Sequence, residues 1–214
     1  MNKYIFLAFF FFSTAIHAQQ VSRLVQVSHY VLDSFCTGKI LMKSGEVFER
    51  KLNYNILTGE MIFSDNGKNL AIEQPLATDT IFVVGRKFVP VDKVFYEVLF
   101  SKTSSLYVEY SGKIIDPGAS IGYGNASPTT NAVSLSSLIR SGMVYEIKLP
   151  DDYKVTTDKT YWVGKNGKLR RANTLKQLSG IFPEKKQLIN DFVKANKTDF
   201  SKQSDVMLLF QQLQ

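Results

Sequence analysis

Between Gly38 and Ile115 the chain is a succession of short segments rich in β-branched and aromatic residues, each separated from the next by a turn signal. The segments read GKILMK, EVFERKLNYN, GEMIFS, NLAIE, DTIFVVG, KVFYEVLF and SLYVEY. The turn signals are Ser44-Gly45, Thr58-Gly59, Asp65-Asn66-Gly67 and Gly85-Arg86, and the last segment ends at Ser111-Gly112. Strands at this spacing predict an antiparallel β meander that curls into a sandwich or a small open barrel.

Alternation within the segments indicates how they sit in the sheet. In EVFERKLNYN, an apolar face holding Phe48, Leu52 and Tyr54 also carries Arg50. The run 81–84 is apolar on both faces, which favours a central strand. Pro90 interrupts the following segment and favours a bend or an edge.

After residue 142 the pattern changes to a hairpin followed by helices. MVYEIKLP alternates as a strand, and YWVGKNGKLRRA contains Asn166-Gly167, a strong hairpin signal that sets Trp162 across from Arg171. Three short helices are predicted next, in NTLKQLSGIF, PEKKQLINDFVKAN and SDVMLLFQQL. Their expected N-caps are Asn173 or Thr174 for the first, and Ser201 or Ser204 for the third. We therefore expect an α+β protein: a β domain at 19–115, with a β-hairpin and three helices from 142–214 packed on it.

A polar stretch at 116–141 separates these two parts and predicts a flexible flap. Its Gly122-Tyr123-Gly124 lacks the preceding strand and following helix of a phosphate-binding loop, so we expect no nucleotide. If the flap binds a ligand, Tyr123 and Asn125 are its expected contacts.

The first 18 residues predict a secretory signal peptide. Lys3 precedes an apolar run that is too short to span a bilayer, and cleavage is expected after Ala18. We therefore expect export, either to the periplasm or out of the cell. The mature chain would keep one histidine, His29, and one cysteine, Cys36, so we expect neither a His/Cys metal site nor a cofactor. Cys36 is expected to be a buried thiol and His29 an ordinary surface residue.

Two glutamates are the candidate catalytic residues. A hairpin around Thr103 would place Glu97 opposite Glu109, with Tyr96 opposite Tyr110 and Val98 opposite Val108. Paired carboxyls suit a retaining glycosidase or another hydrolase that acts on polysaccharide or polymer, or else a cation site. The alternatives are two solvated glutamates near lysines, or a slipped register.

Two basic regions are candidate contact surfaces. The segment 85–97 interleaves Arg86 and Lys87 with Phe88 and later aromatic residues. This pattern can bind single-stranded nucleic acid or sugars, but it also fits a strand edge with its aromatics in the core. Residues 151–214 carry 12 Lys or Arg against 7 Asp or Glu. Weak attraction to anionic surfaces is therefore expected from the helical lysines Lys185, Lys186, Lys194, Lys197 and Lys202.

Several of these segments together resemble a family of secreted, uncharacterised proteins from Gram-negative bacteria of the Bacteroidetes type. The segments are LNYNILTGEMIF, DTIFVVGRKFVPV, FYEVL, PGASIGYGNAS and IFPEKKQLINDFVKAN, and the resemblance extends from about Gly38 onward. It implies export and a shared fold, and no activity.

The sequence favours an exported, non-catalytic binding or assembly component of the cell envelope, whose partner is an envelope protein or polymer. The expected contacts are Arg86, Lys87, Phe88, Tyr123 and Asn125. A hydrolase that uses Glu97 and Glu109, and a binder of anionic surfaces, remain as alternatives.

Overall fold

A ten-stranded antiparallel sheet dominates the computed structural model, which describes residues 29–115, 120–121, 125–126 and 154–214. The ten strands are β1 Cys36–Met42, β2 Val47–Asn55, β3 Glu60–Asp65, β4 Lys68–Ala71, β5 Thr78–Val83, β6 Arg86–Val91, β7 Val94–Ser101, β8 Ser105–Ile115, β11 Lys154–Lys165 and β12 Lys168–Arg171. Their order in the sheet is β12-β11-β8-β7-β6-β5-β1-β2-β3-β4. A separate two-stranded pair is formed by β9 Ser120–Ile121 and β10 Asn125–Ala126. The antiparallel meander predicted from the alternating segments is confirmed.

The chain builds this sheet in two passes. Strands β1 to β4 follow one another outward to the β4 edge. A 3₁₀ turn at Pro75–Ala77 then returns the chain to the other side of β1, where β5 pairs and β6, β7 and β8 follow. β11 pairs with β8, and β12 forms the second edge. The C-terminal hairpin therefore extends the same sheet.

The β11–β12 hairpin turns at Asn166 and Gly167, whose φ angles are 52° and 70°. Positive φ at both central residues is what a tight two-residue turn with the twist of a sheet requires, and Asn-Gly supplies it at little cost. Trp162 pairs with Arg171, which confirms the predicted register. The Arg171 guanidinium donates to the Thr160 hydroxyl, 3.2 Å away.

The sheet curls until the turn between β2 and β3 meets the start of β7. Phe95 donates its backbone N–H to the Gly59 carbonyl at 2.9 Å. Gly59 has a φ of 73°, and a Cβ there would lie 2.7 Å from Cγ1 of Val94. A larger residue would be strained and would push the two strands apart. Aromatic rings fill the inner face nearby, where Tyr54 stacks on Phe88 with ring centroids 5.6 Å apart.

Two sequence expectations about strands are wrong. Pro90 lies in β6, an interior strand, although the ladder to β5 ends at Phe88 so that Pro90 pairs on the β7 side alone. β8 continues through Gly112 to Ile115, because β11 offers a partner for every residue from Ser105 onward. Gly112 leaves room for Ile56, whose Cγ1 would lie 2.9 Å from a Cβ at that position.

Three short helices follow the sheet: α1 Leu175–Ile181, α2 Lys186–Asn196 and α3 Gln203–Gln211. Thr174 caps α1, since its hydroxyl accepts the backbone N–H of Gln177. The predicted cap of α3 is wrong: Lys202 holds the N-cap position without a side-chain bond. Ser201 instead donates its hydroxyl and N–H to the Asp199 carboxylate.

The helices cover one half of the inner face of the sheet. Phe210 of α3 packs edge to face against Phe100 of β7, with centroids 5.9 Å apart, and is fully buried. Ile189 and Leu209 are also fully buried. We call the inner face of β7, β8, β11 and β12 the covered half. We call the surface around Phe48, Phe63 and Leu70 the open half, while Leu52, Tyr54 and Met61 on the same strands are buried. None of the helices in the described part of the chain is long and apolar enough to span a bilayer.

Candidate binding site

The open half contains an apolar cleft of about 560 Å³. Its apolar lining consists of Ile40, Met42, Phe48, Phe63, Leu70, Ala71 and Ile72. Strand register brings these side chains together, because Ile40 pairs with Phe48, and Phe63 pairs with Leu70. Residues that pair directly across an antiparallel ladder point to the same face. The alternation in each strand thus produces one apolar surface.

This surface is open to solvent, unlike the rest of the inner face. Phe48 is 40% exposed and Leu70 is 42% exposed, whereas Ile40 at the base of the cleft is 6% exposed. A scattered exposed apolar residue is ordinary, but several that share a concavity mark a binding surface. The volume falls within the range of roughly 300–1,000 Å³ that is usual for small-molecule sites.

Two charged side chains, Arg50 and Glu73, line the cleft beside the apolar residues. Within the described residues, the Arg50 guanidinium donates to the backbone carbonyl of Glu49 at 2.9 Å and has no carboxylate within 4.0 Å. Arg50 lies on the inner face because it occupies the same alternation as Phe48 and Leu52. The cleft therefore combines an apolar wall with an available cation.

The three residues of the predicted contact surface, Arg86, Lys87 and Phe88, differ in how far they are exposed to solvent. Phe88 is fully buried in the core, and Arg86 is half-buried with its guanidinium engaged. Lys87 is exposed, since successive residues of a strand point to opposite faces. Of the three residues, Lys87 alone offers its side chain to a partner.

Arg86, Glu97 and Tyr110 form a buried cluster on the inner face. The guanidinium binds the Glu97 carboxylate through two bonds, Nε to Oε1 at 2.8 Å and Nη2 to Oε2 at 2.7 Å. The Tyr110 hydroxyl donates to Oε2 at 2.5 Å and accepts from Arg86 Nη2 at 2.9 Å. Burial, and next the Glu97 charge, raise the pKa of Tyr110. Burial alone would lower the pKa of Arg86, but its bonds to Glu97 raise it overall. Both groups are held in their ordinary protonation states.

The predicted pairing of Glu97 with Glu109 is wrong. Phe100 pairs with Leu106, but Glu97 pairs with Val108, because a bulge at Leu99 shifts the register by one residue. The predicted pairs Tyr96 with Tyr110 and Val98 with Val108 fail for the same reason. Glu97 shares the inner face with Tyr110, and Glu109 follows the opposite alternation. Because the sheet separates the two carboxylates, they cannot act together on one bond.

Glu109 belongs to a small aromatic cluster on the outer face. Its carboxylate accepts the indole N–H of Trp162 at 2.9 Å, and Trp162 stacks on Tyr96 with centroids 5.9 Å apart. Burial, together with the charge of Glu109, raises the pKa of Tyr96 to about 12. Glu109 thus orients an aromatic pair.

The flap predictions can be placed only in part. Tyr123 lies outside the described residues. Asn125 is described as a strand residue that pairs with Ile121 across the short β9–β10 ladder. Whether either residue contacts a ligand stays a prediction.

His29 and Cys36 lie at the start of the described chain. His29 is 5% exposed, so the expectation of a surface histidine is wrong, and burial lowers its pKa. Cys36 is a free, half-buried thiol whose Sγ donates to the Ser34 carbonyl at 3.4 Å. Within the described ranges, no group of three or more His, Cys, Asp or Glu side chains could hold a metal ion.

Sequence reasoning missed the cleft as a site, although one signal pointed to it. Arg50 sits on the apolar face of EVFERKLNYN, where a cation would be costly if the face were fully buried. A charged residue in an otherwise apolar alternation indicates that this end of the face is open. The contributions of Phe63, Leu70 and Ile72 depend on strand order, which the sequence does not display.

No family model matches this chain, and no curated protein or solved structure shows significant similarity to it.

Proposed function

We propose that this protein is an exported, non-catalytic binding component of the cell envelope, and that its apolar cleft holds the acyl chain of an anionic amphiphile. The observation that carries the proposal is the solvent-open cleft of about 560 Å³ with its apolar lining. Burial of each methylene group of a ligand is worth about 0.8 kcal/mol. A chain of several methylenes would therefore bind without further polar contacts.

The anionic head group is inferred from Arg50. This side chain lines the cleft and, in the described part of the chain, has no ion-pair partner. A guanidinium forms two parallel hydrogen bonds with a carboxylate or phosphate, which would fix the polar end of the ligand. Glu73, also at the cleft, would disfavour a second negative charge near its own position.

A fluorescent fatty acid tests the cleft directly. Titration with parinaric acid should show saturable binding to the wild-type protein, and Phe48→Glu should abolish it because a carboxylate would then lie among the apolar residues. Phe82→Glu is the matched control, since Phe82 is 46% exposed against 40% for Phe48 but pairs with Lys39 outside the cleft alternation. Equal binding by both variants, or no binding by wild type, contradicts the proposal.

The role of Arg50 is tested by comparing the acid with its methyl ester. Arg50→Gln should weaken binding of the acid by about tenfold, the effect of losing one charge-assisted contact, and leave the ester nearly unaffected. Equal losses for both ligands would show that Arg50 contributes packing alone.

Export rests on the predicted signal peptide. Mass spectrometry of the protein recovered from the envelope fraction should show a mature chain that begins at Gln19, after removal of residues 1–18. An intact N-terminal Met in a cytoplasmic fraction would refute this part of the proposal.

A further inference from the structure

Two aromatic side chains lie next to each other on the outer face of the sheet, on strands β8 and β11. Tyr107 and Trp162 pair directly across the ladder, and Val98 of β7 pairs with Tyr107 on its other side. Residues that pair directly share a face, and their Cβ atoms lie about 5 Å apart. Tyr107 and Trp162 are both half-buried, so part of each ring is accessible to solvent.

Contacts with the sheet hold both rings in place. Tyr107 lies over Gly164 of β11, where a Cβ would be only 3.1 Å from Cε2 of its ring. Trp162 stacks on Tyr96, and its indole N–H donates to the Glu109 carboxylate at 2.9 Å. A ring that is already fixed loses little conformational entropy when a ligand stacks on it. The pair is therefore organised for binding before any ligand arrives.

A cation lies at each end of this aromatic pair. Arg171 of β12 pairs with Trp162, and on the other side the β6–β7 register brings Lys87 next to Val98. Both cations are exposed, and neither has a carboxylate within 4.0 Å in the described part of the chain. We call Lys87, Tyr107, Trp162 and Arg171 the outer row. Its two cations outweigh the Glu109 carboxylate, which is already bound to the indole.

The outer row has the chemistry and the spacing of a site for an acidic polysaccharide. It crosses β6, β7, β8, β11 and β12, and at about 4.8 Å per strand it extends roughly 19 Å. The step between strands is close to the length of one sugar unit in an extended chain, whereas the bases of an extended single-stranded nucleic acid are spaced more widely. The apolar C–H faces of sugar rings pack on aromatic rings, and exposed cations bind carboxylate or sulfate groups.

We propose that the outer row binds an acidic polysaccharide. Sugar rings stack on the two aromatic side chains, and acidic groups of the polymer bind the two cations. This inference goes beyond the proposed function and does not depend on it, because the row and the apolar cleft lie on opposite faces of the sheet.

Intrinsic fluorescence tests the proposal, because Trp162 is the only tryptophan in the sequence. Titration of the wild-type protein with hexasaccharides of galacturonate and of heparin should change the emission saturably for at least one of the two. Cellohexaose is the neutral control and should bind more than about tenfold more weakly, since it lacks the charged groups. No change with either acidic probe overturns the proposal, as does equal binding of cellohexaose. Tighter binding of a thymidine oligonucleotide of the same charge overturns it in favour of nucleic acid.

Two neighbouring arginines separate the outer row from general charge attraction. Arg171→Gln should weaken binding of the acidic hexasaccharide by about tenfold. Arg170→Gln is the matched control and should have little effect, since Arg170 is also exposed but points to the other face of β12. Equal losses in the two variants contradict the proposal.

Tyr107→Ala tests the stacking contribution. It should also weaken binding by about tenfold, because a stacked ring is lost, while the circular dichroism spectrum stays like that of wild type. Phe48→Glu, which alters the apolar cleft, should leave binding of the hexasaccharide unchanged. Unchanged affinity in a folded Tyr107→Ala variant, or lost affinity in Phe48→Glu, would place the polysaccharide elsewhere and overturn the proposal.

Discussion

The two halves of the inner face are built from the same kind of strand and end in different environments. In the covered half, Phe100 packs against Phe210 of α3, and Leu106, which pairs with Phe100, is fully buried. In the open half, Phe48 and Leu70 keep 40% and 42% of their surface exposed. The covering elements come from residues 175–214, which follow β12, and they pack on β7 through Phe210 and reach Lys165 of β11 through Phe182.

This difference shows that the cleft is exposed because the C-terminal helices pack on the other half of the sheet. Alternating apolar residues specify an inner face along every strand, but they do not specify what covers it. The helices close one half by burying large side chains such as Ile189 and Phe210. The open half keeps its apolar surface exposed, and the proposal that a ligand covers this surface rests on that exposure.

The largest expected effect compares one phenylalanine from each half. Phe210→Ala should lower the free energy of unfolding by about 4 kcal/mol, because it leaves a cavity in a fully packed region. Phe48→Ala should lower it by less than about 1 kcal/mol, since the side chain is already partly solvated. Urea denaturation of both variants measures the difference. Similar losses would mean that the open half is packed like the covered half.

The next effect concerns the boundary between the halves, where the Arg86 cluster lies. Glu97→Gln should lower the free energy of unfolding by about 3 kcal/mol, because it leaves a half-buried guanidinium without its charge partner. The control is Glu184→Gln, which breaks the exposed ion pair with Lys165 at 2.7 Å and should have no measurable effect. If the two variants behave alike in denaturation, the cluster does not anchor this region.

A pH titration examines the β2 side of the sheet, where His29 is buried. Burial lowers the folded pKa of His29 below its ordinary value of about 6.5, so below that pH the unfolded chain binds more protons than the folded chain. The stability that neutral His29 contributes is present above about pH 6.5 and is lost as the pH falls. Thermal melts of wild type should therefore lose more stability on acidification than melts of His29→Gln. Parallel curves would contradict this.

The smallest effect is expected from the lysines on the helical layer of the covered half. Lys186, Lys194, Lys197 and Lys202 are exposed, whereas Lys185 donates to the Leu213 carbonyl. Binding to vesicles of anionic phosphatidylglycerol should be weak and should disappear as salt is raised, because exposed charges are screened beyond about 10 Å at 0.1 M salt. Zwitterionic vesicles are the control. Binding that does not change with salt would indicate that the apolar cleft, and not the lysines, contacts the vesicles.

Local signals in the sequence predicted much of the fold. The Asn166-Gly167 turn fixed the pairing of Trp162 with Arg171, and the start of α1 was narrowed to Asn173 or Thr174, of which Thr174 is the cap. These features depend on residues close together in the chain, where backbone preferences and hydrogen bonds act directly.

The features that were missed depend on contacts between distant residues. The bulge at Leu99 moved Glu97 from a pair with Glu109 to a cluster with Arg86, and no turn residue marks that bulge. Pro90 was accommodated in an interior strand because the β5 ladder ends before it. The cleft depends on the strand order, which sets Ile40, Phe48, Phe63 and Leu70 side by side near the β4 end of the sheet.

The contact between Gly59 and Phe95 limits how this protein can change. The β2–β3 turn meets the start of β7 at Gly59, where any side chain would collide with Val94. The curvature of the sheet therefore depends on a residue at position 59 that has no side chain. Substitutions around Phe48 and Leu70 would change which ligands the cleft accepts. Position 59, in contrast, would have to remain glycine for the sheet to keep its curvature.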